Sequence, residues 1–185
     1  MRSVKFSRIA ALAVSLVLAA ASLCACASDP GGGSGTISAD GELTVHFLDV
    51  GQADSTLLVS DGEAMLIDAG NRDDAAFITG YLADQGIDHL KYIVFTHPHE
   101  DHIGSGEAVI AAADVDRIFM MDGYDEGIDA SLKRAVDENG IATTAPEPGD
   151  TAQLGECRID FLGPVREHDD ANDDSICLKV THGDN

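Results

Sequence analysis

From Thr96 to Gly104 the chain reads Thr-His-Pro-His-Glu-Asp-His-Ile-Gly. His97 and His99 are two residues apart, so on extended backbone both imidazoles project to one side. Asp101 and His102 follow at the turn into the next helix, where a chain reversal can aim them at a neighbouring point. Neutral imidazoles and a carboxylate gathered at the end of a strand are donors for a Zn²⁺-type cation. The plainer alternative is a solvated polar loop. The chain has neither a Gly-x-Ser-x-Gly elbow nor a phosphate-cradling P-loop, so no other catalytic motif competes.

The elements around this segment read as a layered α/β domain. Leu43, Val45 and Phe47 alternate with Thr44 and His46, the pattern of a half-buried strand. A loop, Asp49-Val50-Gly51-Gln52-Ala53-Asp54, leads to a second strand over 55–60. Asp61-Gly62 signals a hairpin into a third strand over 63–67, which ends at Asp68-Ala69-Gly70. A helix opens at Asp73 and Asp74 and stops at Gly86, with Phe77, Ile78, Tyr81 and Leu82 as its apolar face. Residues 91–96 form a buried strand, 108–113 a helix, 117–121 a strand and 130–138 a helix closed by Gly140. Strands over 157–162 and 175–181 end the chain as a hairpin. The order β-β-β-α-β-α-β-α-β implies sheets layered with helices.

His-Pro-His-Glu-Asp-His resembles the H-x-H-x-D-H signature of metallo-β-lactamase-fold hydrolases. Upstream, His-Phe-Leu-Asp-Val-Gly-Gln-Ala-Asp-Ser and Leu-Ile-Asp-Ala-Gly resemble more closely the metallo-β-lactamase-like domain of ComEC-type competence proteins. The resemblance covers residues 43–185. It implies a four-layer αββα sandwich whose C-terminal portion is missing, with two divalent cations, Zn²⁺ or Mn²⁺, between the sheets. By the match His97 and His99 are ligands of the first metal, and Asp101 and His102 of the second. Asp101 is also the catalytic residue that orients the attacking water, and Asp68 is the buried acid behind the site. A strand-end turn cap is the plainer reading of Asp68. Asp49, Gln52 and Asp54 border the site, unless they form only a β-turn whose Asp bonds its own backbone. The broad family has a third His before the late strand, where this chain reads Asn172-Asp173-Asp174-Ser175. An N-x-x-S there is a ComEC-like trait, which places Asn172 and Ser175 at the site. The family's later bridging Asp and final His have no counterpart here. His46, His89 and His168 read as surface or strand histidines, and His182 as a turn residue.

The first 25 residues combine basic Arg2, Lys5 and Arg8, an apolar stretch from Ile9 to Leu18, and small residues. That is the layout of a secretory signal peptide, too short in its apolar part for a full membrane span. Leu23-Cys24-Ala25-Cys26 resembles a bacterial lipobox, which makes Cys26 the lipidated residue, with cleavage before Cys24 as the alternative, and 26–42 a Gly/Ser-rich tether. The folded part is thereby expected at the cell surface or on the periplasmic side, anchored to the membrane by lipid. Of the other cysteines, Cys157 and Cys177 fall too far apart along the hairpin for a disulfide, leaving two free thiols.

The 185 residues carry 11 Lys+Arg against 33 Asp+Glu. Removing the three cations of the first 25 residues, a stretch without acids, leaves 8 against 33, or −25. Such acidity excludes a basic nucleic-acid-wrapping surface. A metal cleft can still focus positive potential locally, so the substrate expected from the resemblance is a small ester or a phosphodiester, DNA included. β-Lactam hydrolysis is less favoured without the third His. Two readings follow: an exported hydrolase of this superfamily, poorly active as a 185-residue chain, or a non-catalytic remnant or binding domain.

Overall fold

A computed structural model describes residues 41–121, 130–165, 170 and 172–184. The signal-peptide segment, Cys26, most of the tether and His168 lie outside the described residues. The folded region begins with a meander of strands β1 (Leu43–Phe47), β2 (Thr56–Ser60) and β3 (Glu63–Ile67). Ser60 pairs with Glu63 across Asp61 and Gly62, whose φ angles of 49° and 78° are those of a two-residue turn that matches strand twist.

Helix α1 (Ala75–Asp84) then carries the chain back so that β4 (His89–Val94) lies parallel to β3. A short helix α2 (Glu100–Ile103) and helix α3 (Gly106–Ala112) return it to β5 (Asp114–Phe119). Helix α4 (Ala130–Asn139) precedes β6 (Ala142–Thr144), and β5 and β6 continue the parallel part of the sheet. Its order is β1-β2-β3-β4-β5-β6. Strands β7 (Thr151–Leu154), β8 (Cys157–Gly163) and β9 (Cys177–His182) make a second, antiparallel sheet.

Side-chain alternation assigns the layers. Leu57, Val59, Leu66, Ile93 and Ile118 share one buried cluster with Ile78 and Leu82 of α1, Val109 of α3 and Leu132 of α4. Leu58, Met65, Val94 and Phe119, on the opposite face, pack against Leu154, Ile159 and Phe161 of the second sheet and Ile176 just before β9. The first sheet is therefore apolar on both faces, as a sheet covered on both sides must be. Each buried Leu or Phe contributes about 1.5–3 kcal/mol. Among the described residues the layers run helix, sheet, sheet, three of the four expected.

Element bounds differ from the sequence reading in places. Helix α3 starts at Gly106, where a Cβ would meet the Phe95 ring at 2.9 Å. Strand β5 starts at Asp114, three residues early, because its exposed first half carries acids that mask the period. Strands β6 and β7, of three and four residues, are too short to show one. Strand β8 pairs with β9 so that Cys157 lies opposite His182, with a register shift between Phe161 and Gly163, and His182 closes β9 instead of sitting in the turn. Both cysteines are free, Cys157 buried and Cys177 exposed.

Because β3, β4 and β5 run parallel, their carboxyl ends open at one edge of the sheet. Segments leaving that edge hold Asp68, His97, His99, Asp101 and His102.

Candidate metal centre

Asp68 is the first residue beyond β3 and organises the edge. It is 3% exposed and has a φ of 57°, a left-handed conformation that Asp tolerates better than most residues. Its own N–H donates to Val94 O (2.9 Å) and its carbonyl accepts the Ser55 hydroxyl (3.1 Å). The carboxylate accepts three bonds: from Thr96 N–H at Oδ1 (2.8 Å), and from the Thr96 hydroxyl (2.7 Å) and His102 Nδ1 (2.8 Å) at Oδ2. The reading of Asp68 as no more than a turn cap leaves out the last of these.

The loop after Asp68 and the segment around α2 are stitched together backbone to backbone. Ala69 N–H donates to His102 O (2.7 Å), Gly104 N–H to Gly70 O (2.9 Å) and Ser105 N–H to Ala69 O (3.2 Å). Arg72 N–H donates to the Glu100 carboxylate (2.8 Å). The approach is close enough that a Cβ at Gly104 would stand 2.6 Å from the Asn71 carbonyl carbon. His102 is thereby fixed in direction as well as place.

His97 lies three residues past β4 and is 5% exposed. Its Nδ1 contacts two hydroxyls, Thr96 Oγ1 at 3.2 Å and Ser175 Oγ at 3.3 Å. Each hydroxyl has one proton, already given away: Thr96 to Asp68, and Ser175 to the Asn172 carbonyl (2.7 Å). Both oxygens must therefore accept, so Nδ1 carries the hydrogen and Nε2 the lone pair. That Nε2 is buried with no hydrogen-bond partner. Buried polar atoms are nearly always paired, and an orphan of this kind calls for a reason. Burial, followed by the neighbouring His102 and His99, holds His97 below the usual imidazole range, which keeps that lone pair free.

His102 is held in the opposite state. Asp68 accepts from its Nδ1, which leaves Nε2 facing Asp54 Oδ2 at 3.7 Å and Asp101 Oδ2 at 3.8 Å. Burial works against its charge, but the Asp68 hydrogen bond and the carboxylates of Asp68, Asp101 and Asp54 outweigh it and raise its pKa. The His97 ring centroid lies 3.9 Å from that of His102 and 4.8 Å from that of His99. His99 is exposed at the N-terminal cap of α2.

The edge thus brings together His97, His99, Asp101, His102, Asp68, Asp54 and Ser175. Asn172 takes part through its carbonyl, while its side chain donates to Asp170 Oδ1 (2.8 Å). Asp49 and Gln52 are exposed, with no hydrogen bond to the histidines among the described residues. His46 is satisfied by the Tyr81 hydroxyl (2.8 Å) and His89 by Asp116 (2.9 Å). Sequence reasoning missed two residues. Thr96 links Asp68 to His97, and its place next to His97 was the available signal. Asp170 lies in the field of His99 and His97, which help hold its pKa down after the Asn172 backbone and side-chain bonds do so. Nothing in its acidic run sets it apart.

No three His, Cys, Asp or Glu side chains among the described residues already converge as a cage for a cation. The donor chemistry nevertheless fits a divalent metal. Two imidazoles present Nε2 to the edge, that of His97 buried and orphaned and that of His102 facing two carboxylates, and Asp68 backs His102 as an outer carboxylate backs a ligating histidine.

Residues 48–185 match the family model described as Metallo-beta-lactamase superfamily. ComE operon protein 3 of Bacillus subtilis (strain 168) is 27% identical over 147 residues, 69% of this chain but 19% of that protein. The metallo-beta-lactamase fold protein YhfI from Bacillus subtilis superposes with a TM-score of 0.50 at 18% identity, covering 71% of this chain and 52% of that one. A mutant metallo-beta-lactamase from Cronobacter sakazakii gives a TM-score of 0.50 at 20% identity, covering 64% and 50%. The chain thus spans about half the length of these solved structures and about a fifth of the ComE protein. At such identities the structural likeness is one of fold.

Proposed function

The chain belongs to the metallo-β-lactamase superfamily, and from that premise we propose that it is an exported, lipid-anchored, metal-dependent hydrolase of phosphodiesters or related small esters. The observation that carries the reading is the buried, unpartnered Nε2 of His97 beside the Nε2 of His102. His97 and His99 would hold one cation, Asp101 and His102 a second. Bound there, the metals supply a water acidic enough to deliver hydroxide near neutral pH, and positive charge for the developing oxyanion.

The chain's own residues do the rest. Asp68 holds the His102 proton at Nδ1, and Thr96 and Ser175 hold that of His97 at Nδ1, so His97 keeps a free lone pair on Nε2 while His102 turns its Nε2 toward Asp54 and Asp101. Asp101, half-buried beside His102, accepts a hydrogen bond from the attacking water and points its lone pair at the substrate. The resemblance to the ComE protein supports a phosphodiester, DNA among the candidates. A polyanion nonetheless approaches against the chain's acidity, which salt screens beyond about 8 Å.

A second reading, a cation-binding domain without turnover, is favoured by the absence of a ready three-donor cage among the described residues. A catalytic zinc has three protein ligands and one open position, so turnover near background is expected. The test is hydrolysis of a bis-aryl phosphate by the full chain with Zn²⁺ or Mn²⁺, next to direct metal titration. Slow metal-dependent turnover, abolished by His99→Ala, supports the hydrolase. Metal binding with no turnover on phosphodiester, ester or lactam favours the second reading, and absence of metal binding overturns both. For the anchor, intact mass of membrane-extracted protein should show a diacylglyceryl adduct on Cys26 after loss of residues 1–25; an unmodified N-terminus rejects it.

A further inference from the structure

We propose that Asp54 is a third protein donor to the cation of Asp101 and His102, so that the loop between β1 and β2 supplies one ligand of that site. The inference rests on the metal reading above and adds a residue from outside the His97–His102 segment. Asp54 is pinned by its backbone to both loops of the centre: its N–H donates to Asp101 O (3.2 Å) and its carbonyl accepts from Gly70 N–H (2.9 Å). The next residue, Ser55, bonds to Asp68 O. A side chain that is 73% exposed is thus carried on a fixed main chain.

Its Oδ2 is 3.7 Å from His102 Nε2, and Asp101 Oδ2 is 3.8 Å from the same nitrogen. These separations are too long for hydrogen bonds. Two donors bound at about 2.1 Å to one tetrahedral ion stand about 3.4 Å apart, so small side-chain movements bring both oxygens onto a cation at Nε2. Asp54's carboxylate accepts no hydrogen bond among the described residues, which excludes its use as a turn cap. With Asp68 behind His102, three carboxylates surround one imidazole, and positive charge at that point, whether a proton on the ring or a bound cation, is what balances them. Independently, the orphaned, buried Nε2 of His97 lies on the ring packed against His102. The resulting set, two carboxylates and one imidazole, gives three protein ligands and leaves one position open.

The test uses the full chain, titrated with Zn²⁺ against a fluorescent chelator and with Co²⁺ by its visible absorption. Wild type is expected to bind two ions. Asp54→Asn, which keeps the backbone and shape, should weaken one of them by about tenfold or more and shift the Co²⁺ bands. Asp54→His, a replacement ligand, should retain two ions, and Asp84→Asn, remote on α1, should match wild type. Circular dichroism checks that each variant is folded. Two ions with unchanged affinity and spectrum in Asp54→Asn would overturn the role of Asp54 while leaving the metal centre intact. No ion bound by wild type would overturn both.

Discussion

Strand β4 carries a histidine near each end, and the two environments are opposites. His89, the first residue of the strand, pairs with Asp116 at 2.9 Å, with side chains 52% and 58% exposed. Water competes for both groups, so the pair contributes about 0–1 kcal/mol and asks nothing of its surroundings. His97, past the other end, is walled in by Thr96, Ser175, His99 and His102, and its Nε2 has no partner. An unsatisfied buried atom costs about 1–3 kcal/mol. The molecule tolerates at one end of a strand what it avoids at the other, and the difference separates a site from a surface contact.

The sharpest way to break this contrast is at Asp68. Asp68→Ala removes three accepted hydrogen bonds and puts Ala at a φ of 57°. It should cost about 3–5 kcal/mol in urea denaturation, whereas Asp116→Asn at the other end should cost under about 1 kcal/mol. Next comes Gly104→Ala, which forces a methyl against the Asn71–Arg72 backbone. About 1–3 kcal/mol is expected, with metal affinity falling as α2 is pushed away.

The pH dependence of the metal-free chain gives a third measurement. His102 is held above its ordinary value of 6.5, so its stabilising contribution is complete below that pH and is lost as pH rises through the raised value. The gap in denaturation midpoint between wild type and His102→Gln should therefore shrink as pH rises above 6.5. His97, held below 6.5, acts in reverse: its contribution is present above that pH and lost as pH falls through the lowered value. The smallest effect should come from Ser175→Ala. It frees one side of the His97 ring for about 1 kcal/mol or less, visible chiefly as weaker metal binding.

What the sequence disclosed follows contiguity. His97, His99, Asp101 and His102 occupy one strand-turn-helix passage, so their spacing alone announces a common focus. Asp68 announced itself as an acid at a strand end. Its bond to His102 depends on β3 and β4 being parallel neighbours, which no local pattern states. β1 and β8, with clear alternation, were legible, as were β2 and β3 as short apolar runs either side of the Asp61-Gly62 turn. β6 and β7, held in place by neighbouring strands rather than by their own composition, were not. Asp170 was silent for the same reason: its meaning lies in the histidines it faces, about seventy residues back.

The contacts at the start of β9 have a consequence for assembly. Ser175 reaches His97, and Ile176 N–H donates to Thr96 O at 2.9 Å, so the segment entering the second sheet is latched onto the end of a strand of the first. His97 is fully enclosed only after the two sheets have met. Whatever occupies its Nε2 therefore acts as a rivet between them, binding the finished sandwich in preference to its separate leaves. Cation occupancy would then report completed folding, and the Ile176 amide, slow to exchange when the rivet is in place and faster when it is withdrawn, is the gauge by which that coupling is read.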